Sequence, residues 1–550
     1  MNSFIRRLTL LMFVVLAGAC GTQNSGGSNQ NHDLPMDAFG RASDPLPEGA
    51  IVVDADTFNQ HVAAGATLVS AHQAQVDGVA ADLDASDNQR KVDELKARRP
   101  DLADLLTGQP DPSDSSVRPT GDGNYSHIFT DKLGNTRHVI TMGQTAKNER
   151  LAEALRRFPT YDNQDHIYRQ FYSNIVSRLS EVQRRELGLL QIPNPSQPDY
   201  QSHDVSSLIA LNQLISSRWE AIRGLVSFDP NVPHGYPSSC ANEEGAGHGS
   251  DRSGYGTSCE NHTAKGAYAN FNWPTKYYAT CVKDQGNRGT CGAFGILGAL
   301  ESGVALKYQR WVNLSEQDLY NHVKMTWWPS HYGDGINTHG VWQKMLEKNY
   351  LVPFESQWDY NPSPSRTSDD VTQTYHHSCD GYSEACSDTN HQGQLYCMTY
   401  NEFRYCYYTS PSNPMNSGFR TAAESEVWDF TNLDRSMAMT LLAVIFQSPL
   451  VISLDVVPTF DNPDADGYVR YVNPDGKSRG GHILEVTGFV GNSDLHARFP
   501  HNPPPDGSGG GYLIVKNSWG LCWADAGYVY LPLDWVRAHT WSMTVLGGVQ

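Results

Sequence analysis

At 550 residues the chain has room for more than one domain. Its formal net charge of −19 argues against nucleic-acid binding, which needs a basic footprint, and leaves no basic patch for an anionic membrane surface. The chain opens on a basic leader, Met1-Asn-Ser-Phe-Ile-Arg-Arg7. Leu8 to Ala17 follows as an apolar run too short to span a bilayer.

That run ends in Leu16-Ala-Gly-Ala-Cys20, which resembles a bacterial lipobox. The resemblance implies a signal peptide over residues 1–20 and Cys20 as the lipidated residue. An ordinary secretory signal with a small-residue cleavage site is the alternative, and both readings export the chain to the cell envelope or beyond. Residues 21–48 open on a Gly-, Asn-, Ser- and Gln-rich stretch, expected as a flexible tether.

Residues 49–226 read as a separate, mainly helical N-terminal α/β domain. Helical patterns cover Val92 to Leu106, Asn148 to Leu190 and Val205 to Leu225, and Tyr125 to Thr141 reads as a hairpin. Residues 227–264 form a Gly/Ser-rich linker.

Gln285-Gly-Asn-Arg-Gly-Thr-Cys291-Gly-Ala-Phe294 comes next, with a cysteine on a glycine-rich turn directly ahead of an apolar helical run to Leu306. A helix N-terminus favours thiolate, the nucleophilic form of cysteine. Three glycines in the run lower its helix propensity, so packing is expected to hold the helix. Asn313-Leu-Ser-Glu-Gln-Asp-Leu319 and Gly333-Asp-Gly335 follow. Farther on stand Gln447-Ser-Pro-Leu-Val-Ile-Ser-Leu-Asp-Val456, Gly480-Gly-His482-Ile-Leu-Glu-Val-Thr-Gly-Phe489 and Gly511-Tyr-Leu-Ile-Val-Lys-Asn517-Ser-Trp-Gly520. A reactive cysteine needs a base, and the base needs a group to orient it.

In this order the segments resemble the papain-like cysteine peptidases, over residues 265–550. The resemblance implies an α+β, two-lobed fold: a helical lobe on the Cys291 helix and a β-barrel-like lobe carrying His482 and Asn517. It implies a Cys291-His482-Asn517 triad acting through a thioester acyl-enzyme, with Gln285 and the Cys291 N–H facing the oxyanion. Gly333, Gly335 and Trp519 are the substrate-binding residues it implies, Trp519 shielding the Asn517–His482 hydrogen bond. Such enzymes are usually made with an inhibitory proregion, which suits the N-terminal domain in size and position; an unrelated docking domain is the alternative.

Two departures stand out. Arg288 occupies the place of a usual disulfide cysteine, and Gly292 replaces a tryptophan. The span from Cys291 is 191 positions to His482 and 226 to Asn517, longer than the roughly 130–150 usual, so insertions are expected. They fall at about Pro362 to Ser417 and Asn492 to Gly511, both loop-like in composition.

With Cys20 and Cys291 set aside, eight of ten cysteines remain, which suggests four disulfides in an exported protein. Clustering suggests Cys240–Cys259, two bridges within 379–406, and Cys281–Cys522. Zinc at 379–406 is disfavoured because the spacings are not short Cys-x-x-Cys pairs. Asn462-Pro-Asp464-Ala-Asp466-Gly467 resembles half a calcium loop but carries Asn473 where the twelfth ligand belongs, so it reads as a turn.

The function expected is therefore an exported, lipid-anchored cysteine endopeptidase without cofactor or metal, monomeric, acting on proteins or peptides. Its only membrane contact would be the lipid. The alternatives are an inactive surface-binding relative, an exopeptidase with an occluding insertion built around His376-His377, and an acyl or amide transferase using the same thioester.

Overall fold

The computed structural model describes residues 263–270, 278–323, 339–360 and 418–550 with few internal breaks. It also describes 113–119, 125–143, 204–213 and 240–246, less a few positions, and short stretches elsewhere, among them 50–52, 67–69, 395–400 and 403–408. The leader with Cys20, the tether, nearly all of the helices expected over 92–106 and 148–190, and Gly333 and Gly335 lie outside the described residues.

The first long helix, α1 (Cys291–Tyr308), is buried from Cys291 to Leu306 and ends at Gln309, which adopts a left-handed φ of 56°. An interior glycine costs a helix about 1 kcal/mol relative to alanine. Close approach explains two of those glycines. A Cβ at Gly295 would stand 2.9 Å from Ile483 Cγ2, and one at Gly298 would stand 2.6 Å from Glu485 Oε2. Helix α1 therefore lies directly on the strand that carries Ile483 and Glu485, closer than any larger residue allows. Helices α2 (Glu316–His322) and α3 (His339–Lys348) follow it; Ser315 caps α2 by accepting from the Asp318 N–H.

The main sheet is antiparallel, with the order β10-β15-β11-β12-β13-β14. Its strands are β10 (Glu424–Glu426), β11 (Leu450–Asp455), β12 (Gly481–Gly491), β13 (Gly511–Lys516), β14 (Tyr528–Pro532) and β15 (Thr540–Leu546). Strands β11 to β15 are buried along their whole length, as their near-continuous apolar sequences require. Helices α4 (Leu433–Ile445), α5 (Asn492–Arg498) and α6 (Leu533–His539) complete this half. Helices at Cys291 and a sheet carrying His482 and Asn517 are the two-part α+β arrangement expected from the resemblance.

Register decides what meets at the head of β12. Leu454 pairs with His482, and Glu485 with Lys516. Continued past Lys516, the β12–β13 register brings Asn517 to Trp519 alongside the first residues of β12.

The N-terminal residues contribute β1 (Ala50–Val52), β2 (Thr67–Val69), β3 (Val117–Pro119), β4 (Tyr125–Thr130) and β5 (Thr136–Thr141). Strands β4 and β5 form the expected hairpin, closing at Thr130–Thr136, with β3 on its edge. This part of the chain is not a body apart. Met142 exchanges backbone hydrogen bonds with Gly481, at 3.0 and 2.9 Å.

The insertions carry elements that their loop-like composition did not imply. Strands β7 (Leu395–Tyr400) and β8 (Phe403–Tyr408) make an antiparallel hairpin, rich in the aromatic residues that favour strands. Strand β8 pairs in parallel with β1, and β7 antiparallel with β2. Helix α5 occupies the start of the second insertion. Strands β6 (Val352–Pro353) and β9 (Gly418–Phe419) pair beyond α3.

The disulfides correct the expectation drawn from clustering. Cys240 bridges Cys281 across 41 residues, with Cα atoms 5.2 Å apart, so neither Cys240–Cys259 nor Cys281–Cys522 forms. The reason is a contact invisible to spacing: Glu243 accepts the Cys281 N–H at 2.6 Å, which holds the 240 turn against that segment. Cys522 is also disulfide-bonded, whereas Cys291 keeps its thiol.

Candidate active site

Cys291 is the first residue of α1, fully buried, with Thr290 at the cap position. One turn later Gly295 abuts Ile483, so the start of the helix lies beside the residue before it, His482. His482 is fully buried as the second residue of β12.

Its Nε2 lies 2.8 Å from Asn517 Oδ1. A carboxamide oxygen only accepts, so Nε2 carries the proton and a neutral ring presents the Nδ1 lone pair. Nδ1 is buried with no hydrogen-bond partner among the described residues. Asn517 Oδ1 also accepts the Ser518 N–H at 2.7 Å, which fixes its direction. The Trp519 ring stacks on His482 with centroids 4.6 Å apart and closes the Asn517 side to water.

Gln285 is buried in the same knot. Its N–H donates to the Ser518 carbonyl at 2.8 Å, and its Oε1 accepts from Ser518 Oγ at 2.6 Å. With the oxygen held there, the amide nitrogen is the end directed away from Ser518. Of the expected site residues, His482, Asn517 and Trp519 are thus joined by direct contacts, Gln285 reaches them through Ser518, and Cys291 is set beside them by α1.

The sequence reading missed Tyr360. Its hydroxyl donates to the Gln285 carbonyl at 2.7 Å and lies 2.6 Å from Thr290 Oγ1, tying the Gln285 loop to the cap of the Cys291 helix. No spacing rule marks such a residue; its bond is to backbone. Lys283 anchors the same loop from below, with Nζ at 2.7 Å from Glu301 and 2.6 Å from Glu316. Burial alone would lower its pKa, but those carboxylates outweigh it and hold the ammonium charged.

The β4–β5 hairpin was legible as a hairpin but not as part of this site. Phe129 stacks on Trp519 at 4.9 Å, and His127 lies 6.2 Å from the same indole. Arg137 donates from one terminal nitrogen to both Asp284 oxygens, at 2.8 and 2.9 Å. Thr141 Oγ1 donates to the Arg479 carbonyl at 2.7 Å, just ahead of the Met142–Gly481 pair. The hairpin therefore sits on His482, Trp519 and the Gln285 loop at once.

Covering changes the electrostatics. Burial pushes the His482 pKa down to about 3, against a small upward pull from Asn517, and His127 lowers it further. His127 is itself held down to about 3, by burial first and by the nearby Arg479 guanidinium second. In this covered arrangement both imidazoles are neutral at neutral pH.

The family model described as papain family cysteine protease matches residues 267–539. A viral cathepsin of Mamestra configurata nucleopolyhedrovirus is 55% identical over 94 residues, 17% of this chain and 25% of that protein. Human cathepsin O is 26% identical over 270 residues, 48% of this chain and 60% of that protein. The chain thus spans less than two thirds of either relative. Among solved structures, the bromelain protease from Ananas comosus aligns at 19% identity over 48% of this chain and 93% of its own, with a TM-score of 0.30. Xylellain, a cysteine protease from Xylella fastidiosa, aligns at 15% identity over 55% and 99%, with a TM-score of 0.33. Over residues 267–539, then, the chain belongs to the papain family of cysteine proteases.

Proposed function

We propose that the protein is a cysteine endopeptidase that hydrolyses peptide bonds with Cys291, His482 and Asn517. The observation that carries this reading is the His482–Asn517 hydrogen bond, which leaves the Nδ1 lone pair as a base beside the helix bearing Cys291. The Cys291 thiol gives its proton to Nδ1, and Sγ attacks the peptide carbonyl carbon. The Gln285 amide and the Cys291 N–H stabilise the oxyanion. His482 returns the proton to the leaving amine, and water hydrolyses the thioester. Trp519 shields the His482–Asn517 bond throughout.

The hairpin's position supports reading the N-terminal region as an inhibitory cover. A peptide cannot reach Gly481 or Trp519 while Met142 and Phe129 are there. Displacing the hairpin also returns solvent to His482 and relieves the burial that keeps it neutral, which makes a thiolate–imidazolium pair attainable. We further propose export with Cys20 lipidated, and a monomer acting on proteins or peptides, with glycine-rich residues around Gly333 and Gly335 contacting substrate.

The test is intact mass of residues 21–550 after exposure to an epoxysuccinyl thiol electrophile at neutral pH, before and after limited proteolysis of the N-terminal region. A single adduct that grows in after proteolysis and is absent in Cys291→Ala is the expected result. Peptide cleavage retained by Cys291→Ala would overturn the mechanism.

A further inference from the structure

The covering hairpin puts a cation where the described residues of the peptidase half supply none. Asp284 directly precedes Gln285, and its backbone is bridged to Trp519, so its carboxylate belongs to the wall of the cleft. It is buried, 1% exposed. Among the described residues of 267–539 its side chain accepts from one group, the Gly286 N–H at 2.9 Å. The neighbouring Lys283 is committed to Glu301 and Glu316. The charge of Asp284 is met instead by Arg137, which reaches it from 147 positions earlier in the chain and outside the papain-family segment.

Arg137 does not act alone. Its hairpin also supplies an extended backbone at Gly481 through Met142 and an aromatic ring on Trp519 through Phe129. Those are the kinds of contact that an extended peptide lying across the same residues would make. A peptide that takes the hairpin's place must meet Asp284 too, because a carboxylate walled in beside Trp519 is costly without a cation. Taking the peptidase reading as its premise, we propose that Asp284 is a substrate-selecting residue that receives an arginine or lysine side chain of the substrate in the position Arg137 occupies. Arginine is preferred over lysine, since its planar fork can offer the carboxylate two parallel donors, whereas Arg137 spans both oxygens from one nitrogen. The net charge of −19 also draws basic peptides toward the protein.

The experiment uses the full chain carrying Arg137→Ala, which frees Asp284 of its internal cation, activated by the same limited proteolysis of the N-terminal region. Internally quenched peptides carry arginine, lysine, norleucine or glutamate in turn at each position flanking one scissile bond, and kcat/KM is measured for each. At one position arginine should exceed norleucine at least tenfold, with lysine between them and glutamate below. Adding Asp284→Asn should bring the arginine-to-norleucine ratio to within about twofold of one, and Asp284→Glu should retain it. Cleavage with no basic preference at any position overturns the inference and leaves the peptidase reading intact, as does a preference that survives Asp284→Asn. Cleavage of no peptide while Cys291 labels normally would instead count against the peptidase reading, and the inference would fall with it.

Discussion

Asn517 Oδ1 accepts two hydrogen bonds, from His482 Nε2 and from the Ser518 N–H, and both donors are buried. Replacing it with alanine leaves the Nε2–H without an acceptor, under an indole that keeps water away. An orphaned buried donor costs about 1–3 kcal/mol, and the ring also loses the bond that selects its tautomer. Asn517→Ala should therefore lower kcat/KM about 10- to 100-fold, with KM changed much less than kcat, in steady-state assays of the proteolysed protein. Equal activity in the variant would mean that Trp519 stacking alone orients His482. At this scale the short motifs around Cys291, His482 and Asn517 were legible in the sequence, and the structure bonds His482 to Asn517. Tyr360 and Asp284 did not announce themselves. Tyr360 acts through a backbone carbonyl, and Asp284 matters through a partner far away in the chain.

Among the elements, the hairpin β4–β5 has the most to lose from one truncation. Phe129 is partly exposed, yet its ring lies on Trp519, which in turn lies on His482. Truncating a fully buried phenylalanine costs about 3–5 kcal/mol, and a half-buried one less, so about 1–2 kcal/mol is the scale here. That weakens hairpin docking roughly 5- to 30-fold. Phe129→Ala should raise the rate of Cys291 alkylation by a comparable factor in the uncleaved protein, measured by intact mass against time. An unchanged rate would show that Phe129 does not gate the thiol. The strand alternation from Tyr125 to Thr141 was enough to see this hairpin in the sequence. Where it docks was not legible, because docking depends on Gly481, Asp284 and Trp519, all more than 140 positions away. The same limit applies to Gly295 and Gly298 of α1. In the sequence they are a loss of helix propensity, whereas in the fold Gly295 and Gly298 let α1 touch β12. It explains the disulfides as well, since Cys240 meets Cys281 through Glu243 rather than through spacing.

Across the whole molecule, the N-terminal region is tied to the peptidase half at separate places. Strands β1 and β2 flank the β7–β8 hairpin, and Arg479 pairs with Asp114 and Asp461. The hairpin covers His482, and Asn212 Nδ2 reaches the Phe489 carbonyl at 3.4 Å. Contacts this dispersed do not depend on an unbroken chain. If a site-specific protease sequence is placed at 190–200 and cut, the two pieces should co-elute in gel filtration at pH 7. Acid should separate them. His127 and His482 have pKa values held down to about 3, below the ordinary 6.5, because they are buried in the covered state. A histidine whose pKa is lowered on folding stabilises the fold above its unfolded value and loses that contribution as pH falls toward the folded one, at about 1.4 kcal/mol per unit. Stability of the covered state should thus be complete above about pH 6.5 and decline progressively toward pH 3. His127 has Asp461 at 2.8 Å, but Arg479 holds that same carboxylate, so protonation puts a second cation into a pocket already supplied with one. Co-elution at pH 7 with separation near pH 4 is the expected pair of results. Separation already at pH 7 would mean that chain continuity, rather than these contacts, keeps the cover in place. Co-elution persisting near pH 4 would mean that the strand pairs at β7 and β8 outweigh the two histidines.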